Sequence, residues 1–169
     1  MLMVPLSQCE DWGMNRTGRA ITAAISRSPA RHLLKRFVPQ TDRLLFRVTG
    51  GRLKLSAPAM PSLMLFSTGA KSGARRESPL ICFPQPDNTW FIVGSNFGLE
   101  THPAWTWNLI ANPEAEIHYR RRLWPVTATL LSQDEADELW PALESEWPNY
   151  RDYEKTAKRD IRVFHLVPR

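Results

Sequence analysis

The stretch from Pro61 to Arg76, PSLMLFSTGAKSGARR, constrains this chain more than any other. Leu63-Met64-Leu65-Phe66 is an apolar run with the length of a buried strand. It leads directly into Ser67-Thr68-Gly69-Ala70-Lys71-Ser72-Gly73-Ala74-Arg75-Arg76, and a second apolar segment, Pro79 to Phe83, follows at once. Two apolar runs around a short polar loop predict a hairpin held on a rigid sheet. Gly69 and Gly73 allow φ > 0, so successive N–H groups of the loop can point into one concavity. Hydroxyls and three cations surround that concavity, so an anion, most simply a phosphate, is the ligand it suits. The plainer alternative is a solvated hairpin tip whose charges do nothing. A nucleotide P-loop is excluded: Ala70 replaces the glycine before Lys71-Ser72, Leu65 stands where the first glycine belongs, and a strand follows where a helix is required.

With 169 residues, 43% of them hydrophobic and 23% charged, the chain can bury one genuine core. Charge is unevenly spread: residues 1–80 carry 13 Lys/Arg against 4 Asp/Glu, and residues 81–169 carry 9 against 13. A basic first half suits an anionic partner, whether membrane headgroups, a polyanionic cofactor or nucleic acid. Cys9 and Cys82 form no CxxC pair and no secretory pattern precedes them, so a cytoplasmic setting is expected. No apolar stretch reaches membrane-spanning length.

Along the chain, Thr17 can cap a short helix, and Ser28-Pro29 opens a second with Leu33, Leu34, Phe37 and Val38 on one side and Arg31, Lys35 and Arg36 on the other. Such a helix either packs on the domain with a solvated basic face or lies on an anionic membrane surface. We expect residues 1–40 to form this basic helical extension and residues 41–169 the main domain. Leu44 to Val48 is an apolar segment that fits helix or strand. Trp90-Phe91-Ile92-Val93 reads as a strand entered through the Asp87-Asn88 turn. It leaves through the glycine-bounded loop Gly94 to Gly98. A short helix is expected from Pro103 to Asn112, with Asn108 facing a ligand or capping backbone groups. Ala115–Tyr119 and Trp124–Leu131 are expected strands joined by an Arg120-Arg121-Arg122 turn. Ser132 with Glu135 resembles a capping box at the head of an acidic helix. Trp147 to Tyr153 breaks that helix and starts a turn, and Ile161 to Val167 is a final strand. Antiparallel strands with helices at their edges predict a mainly β fold with flanking helices (α+β), a small barrel with helices outside.

Several chemistries lack their residues. The histidines are scattered away from ligand spacing, so no metal site is expected. There is no G-x-S-x-G elbow, and no G-x-G-x-x-G follows a strand. An anion cradle, a glycine loop and aromatic groups suit a cofactor that brings its own chemistry. The basic residues lack interleaved aromatics, so no nucleic-acid partner is expected.

Taken in order, Thr68-Gly69-x-Lys71-Ser72-Gly73-x-x-Arg76-x-x-Pro79-Leu80, Ser95-Asn96-Phe97-Gly98, His102-Pro103-Ala104-Trp105, Asn108-Leu109, Ala111-Asn112-Pro113, Leu139-Trp140-Pro141 and Trp147-Pro148-x-Tyr150-x-x-Tyr153 resemble the deazaflavin-dependent nitroreductase family. The resemblance runs from about Asp42 to the C-terminus. It implies a split β-barrel like that of the flavin-binding pyridoxamine-phosphate-oxidase folds, and a hydride-transferring oxidoreductase using coenzyme F-420, with FMN as the alternative cofactor. A non-catalytic F-420-binding protein is the other alternative. The resemblance implies that Lys71, Ser72, Gly73 and Arg76 hold the phosphate and tail of the coenzyme, and that Pro79 and Leu80 line its ring. Ser95, Asn96, Phe97 and Gly98 would form the loop beside the ring, and Trp105 and Asn108 would close the groove. Tyr150, Tyr153 and Ser95 become the candidate catalytic hydroxyls toward a quinone or nitro acceptor. A monomer or homodimer is expected, in the cytoplasm or peripherally at the inner face of the cell membrane.

Overall fold

The computed structural model describes residues 61–146 and 150–169, together with Thr41. The expected helices between Thr17 and Pro39, the segment Leu44–Val48, Cys9 and the start of the Trp147-Pro148 break lie outside the described residues. Among the described residues seven strands form one sheet: β1 Ser62–Thr68, β2 Arg75–Ile81, β3 Phe83–Pro84, β4 Trp90–Val93, β5 Glu114–Tyr119, β6 Arg122–Leu130 and β7 Val163–Pro168. Every neighbouring pair is antiparallel, in the order β2-β1-β5-β6-β7-β4-β3. The two outermost strands are consecutive in sequence, separated only by the buried Cys82. One segment therefore pairs with β1 along its first half, bends at Cys82, and pairs with β4 along its second. A sheet whose two edges belong to one bent segment must curl on itself, and the expected split barrel results.

The strand pattern follows from alternation. In β5 the inward residues Ala115, Ile117 and Tyr119 are buried, and the intervening positions are more exposed. They join Leu63, Leu65, Trp90, Ile92, Val126, Phe164 and Leu166 in the barrel core. The β5–β6 turn needs only Arg120 and Arg121, at φ 46° and 67°. Two positive φ values make the turn type that matches strand twist, here built without glycine.

Helix α1, Ala104–Ala111, plugs one end of the barrel by burying Trp105 and Leu109. A second core lies outside the barrel, where Phe83, Phe91 and Val163 meet Ala136, Leu139 and Leu143 of α2 (Gln133–Glu146) and Tyr150 of α3 (Tyr150–Ala157). The capping box of α2 forms as expected: the Ser132 N–H donates to Glu135 Oε2 at 2.8 Å and the Glu135 N–H to Ser132 Oγ at 3.3 Å. Those bonds favour the carboxylate and hold its pKa below the ordinary value. After the break, the chain forms an eight-residue helix rather than the expected turn. Tyr150, Tyr153 and Ala157 recur at helical spacing on it.

Candidate active site

Two loops of this barrel carry the groups singled out above, and α1 fixes both. The first is the β1–β2 connection, Gly69–Ala74. It is closed by Gly69 N–H to Ala74 O at 2.8 Å and Gly73 N–H to Gly69 O at 2.8 Å. Gly73 has φ +65°, and a Cβ at Gly69 would lie 2.7 Å from Ser72 Oγ, so each glycine answers a separate need. Ser72 Oγ accepts from the Ala74 N–H at 3.3 Å and from Arg76 Nη2 at 3.2 Å. Among the described residues, no carboxylate pairs with Lys71 or Arg76, and no acceptor takes the N–H of Lys71 or Ser72. The tip thus presents two cations and two backbone donors together.

Asn108, on α1, ties this loop down. Its Nδ2 donates to Ser67 Oγ at 3.2 Å and its Oδ1 accepts from the Ala70 N–H at 3.0 Å. Of the two roles open to it in the sequence, the backbone contact is present, at the Ala70 N–H. Register places Arg76 opposite Ser67 and Arg75 opposite Thr68, so the two arginines lie on opposite faces. Arg75 is engaged elsewhere, 2.9 Å from Glu116 Oε2 and 4.3 Å above the Phe66 ring. It borders a shallow depression of about 290 Å³ whose other charged groups, Glu114 and Arg169, also pair with each other at 2.9 Å. Arg76 is not among the residues that line it.

The second loop, Gly94–Leu99, leaves the end of β4 and contains a single 3₁₀ turn, Asn96–Gly98. Gly94 lies so close to α1 that a Cβ would be 2.9 Å from Thr106 Cγ2. Gly98, at φ +76°, is pressed against α3, where a Cβ would collide with Thr156 Oγ1 and sit 3.1 Å from the Tyr153 ring. Asn96 folds back on the chain, its Nδ2 donating to Thr101 O at 2.8 Å. Arg162 supports the same corner, donating to Thr106 Oγ1 at 3.1 Å and stacking 3.9 Å from the Trp107 ring.

Comparison with known proteins decides what this frame belongs to. A family model described as F420H(2)-dependent quinone reductase matches residues 39–168. The chain belongs to the F420H(2)-dependent quinone reductase family. It is 33% identical over 149 residues to an F420H(2)-dependent quinone reductase of Mycobacterium tuberculosis strain H37Rv, covering 86% of this chain and 99% of that protein. Among solved structures, an F420-H2 dependent reductase (FDR-A) is 30% identical with TM-score 0.56, covering 63% of this chain and 94% of the other. A domain-swapped dimer, also 30% identical, has TM-score 0.59 and covers 83% of this chain and all of its own, 100%. Family membership makes this protein an oxidoreductase with F-420 as coenzyme.

The donor set at the Gly69–Ala74 loop, Lys71, Arg76 and two backbone N–H groups without acceptors among the described residues, has the chemistry to hold an anion. Pro79 and Leu80 lie on β2 opposite Met64 and Leu63, and Leu80 packs on the barrel core. Trp105 lies inside that core, 6% exposed and 5.5 Å from the Phe164 ring, so it stiffens α1 from below. Of the candidate hydroxyls, Ser95 is half-buried in the second loop and Tyr153 half-buried beside Gly98. Tyr150 is 4% exposed, packed by Phe83, Trp140 and Tyr153, and burial pushes its phenol pKa far up. One residue of this site carries no sequence signal: Arg159, just beyond α3, reaches back to the second loop through main-chain carbonyls.

Proposed function

We propose that this protein reduces quinones, with nitroaromatic compounds as a further acceptor class, and that the coenzyme tail lies on Lys71, Ser72, Gly73 and Arg76. The single observation that carries the placement is the convergence of two carboxylate-free cations with the unpaired N–H groups of Lys71 and Ser72 on a loop locked by Asn108. When bound, the coenzyme supplies the hydride. The chain's part is to bind, orient and donate hydrogen bonds. Pro79, Leu80 and the loop Ser95 to Gly98, with Asn96 and Phe97 at its turn, border the ring. Trp105 and Asn108 act from beneath, holding α1 and the tail loop in place. Tyr153 or Ser95 donates to the acceptor oxygen as charge develops there. Tyr150, buried beneath Tyr153, sets the position of that ring.

Charge-assisted contacts to an anion contribute about 1.5–3 kcal/mol in general. Lys71→Ala or Arg76→Ala should therefore weaken F-420 binding roughly tenfold to a hundredfold, while Arg75→Ala, paired across the sheet with Glu116, should do little. Fluorescence titration with whole F-420 and with a fragment lacking phosphate and glutamates tests this, since the deficit should shrink for the fragment. Wild-type affinity for whole F-420 in both Lys71→Ala and Arg76→Ala would reduce the loop to a solvated hairpin tip.

A further inference from the structure

We propose that Arg159 is a positioning residue for the ring-side loop: its guanidinium, seated against His102, dictates which way the peptide groups of Gly94–Leu99 face. The inference rests on the functional reading above, which sets that loop beside the coenzyme ring. Arg159 Nη2 donates to Ser95 O at 3.1 Å and to Gly94 O at 3.3 Å, and Nε donates to Leu99 O at 3.0 Å. Nη1 donates to Asp160 O at 3.0 Å and meets His102 Nδ1 at 3.1 Å. A single planar cation thus holds the loop at both its beginning and its end. In a trans peptide the C=O and the following N–H point in opposite directions. With the Gly94 and Ser95 carbonyls turned toward Arg159, the N–H groups of Ser95 and Asn96 must face away from it. Among the described residues neither N–H has an acceptor. Ser95 O also accepts from the Gly98 N–H of the 3₁₀ turn at 2.9 Å, so the turn and the guanidinium together point these two donors away from Arg159, where a ring carbonyl or nitrogen would need them.

The remaining contacts keep the guanidinium itself in place. His102 accepts from Arg159 through Nδ1, so its neutral ring carries the proton on Nε2. Partial burial, with Arg159 and then Arg162 nearby, disfavours its protonation, while Asp160 opposes weakly. Trp107 meets the His102 ring edge-on at 5.8 Å. Lysine could not do this work: its donors share one nitrogen and cannot span acceptors arranged around a planar fork.

The test compares Arg159→Ala, Arg159→Lys and Lys71→Ala with wild type, with Leu139→Ala as a control for general destabilisation. Two quantities are read: the F-420 dissociation constant by fluorescence titration, and amide hydrogen exchange across Ser95–Leu99 without coenzyme. Arg159→Ala should weaken F-420 roughly tenfold, speed exchange in that loop, and recover part of both on adding methylguanidinium. Arg159→Lys should resemble Arg159→Ala, and Leu139→Ala should keep near-native affinity. If Arg159→Ala does not fold, Arg159→Lys carries the same comparison. Unchanged affinity and exchange in the Arg159 variants, with Lys71→Ala weakened, would overturn the proposal alone. An affinity loss in Leu139→Ala as large as that of Arg159→Ala would overturn it too. Absence of F-420 binding by wild type would remove the functional reading and this inference with it.

Discussion

Replacing Asn108 by alanine isolates what α1 contributes to the tail loop. The substitution removes a donor to Ser67 Oγ and an acceptor for the Ala70 N–H, bonds of 3.2 and 3.0 Å. A typical hydrogen bond contributes about 1 kcal/mol net, and a buried group left unpaired costs more. Ser67 is 3% exposed and has no easy replacement, whereas the Ala70 N–H lies at a rim that water can reach. The sum is about 2–3 kcal/mol, which for a domain of this size lowers the melting temperature by roughly 4–12 °C. Freed from α1, the loop must be ordered on binding. An ordering cost of about 1 kcal/mol weakens F-420 roughly fivefold. Asn108→Asp separates the two effects. Its carboxylate can accept from the Ala70 N–H and from a reoriented Ser67 hydroxyl, so stability should lie above that of the alanine variant. Yet it adds a negative charge beside the anion cradle, so F-420 affinity should fall further, more at low salt than at high. Calorimetry and fluorescence titration in two salt concentrations measure both. If Asn108→Ala melts and binds as wild type does, Asn108 does not hold the loop, and the argument from its hydrogen bonds fails.

Tyr153→Phe should lower quinone turnover on the order of tenfold to a thousandfold with F-420 affinity nearly unchanged, and Tyr150→Phe should act more weakly because that phenol is buried; steady-state kinetics with a quinone panel would show unchanged turnover if Tyr153 donates nothing. Burial holds the pKa of both His102 and His165 below the ordinary 6.5. The folded state therefore resists protonation that the unfolded chain accepts, and stability complete above about pH 6.5 should decline as pH falls below it. Melting curves between pH 7.5 and 5 test this, and His165→Phe, which keeps the stack on Phe91, should flatten part of the decline. Residues 16–54 hold ten Lys/Arg against Asp42 alone, so the full chain should sediment with anionic vesicles in a salt-sensitive way. Equal sedimentation with neutral vesicles at low salt would remove any electrostatic contribution of that segment.

The sequence carried the barrel because strands announce themselves locally. Leu63–Phe66 and Trp90–Val93 are apolar runs, Ala115–Tyr119 alternates, and Ser132 with Glu135 marks a helix start through side chains alone. The β1–β2 loop was legible for the same reason, since glycines, hydroxyls and cations sit within a few positions. The short helix Tyr150–Ala157 was hidden by the preceding Trp-Pro break, which reads as a turn unless the spacing of Tyr150, Tyr153 and Ala157 is followed through. Arg159 was invisible for a deeper reason. Its acceptors are carbonyls of Gly94, Ser95 and Leu99, some sixty residues upstream, and every residue has a carbonyl. Whether Asn108 faced a ligand or the backbone likewise depended on which strand α1 would lie against.

The bend at Cys82 gives both outer strands to one short segment, and that segment is poorly suited to recruiting another chain. β2 carries Pro79 at mid-strand and Arg75-Arg76-Glu77 at its start, while β3 is two residues long and ends in Pro84. A proline offers no N–H to an incoming ladder, and charges on an edge repel a second copy of themselves. Antiparallel sheets with long bare margins invite intermolecular stacking into fibres. Here the hazard is confined to a few residues, so the same hairpin that carries the Lys71 and Arg76 cations also guards the sheet against growing by accretion.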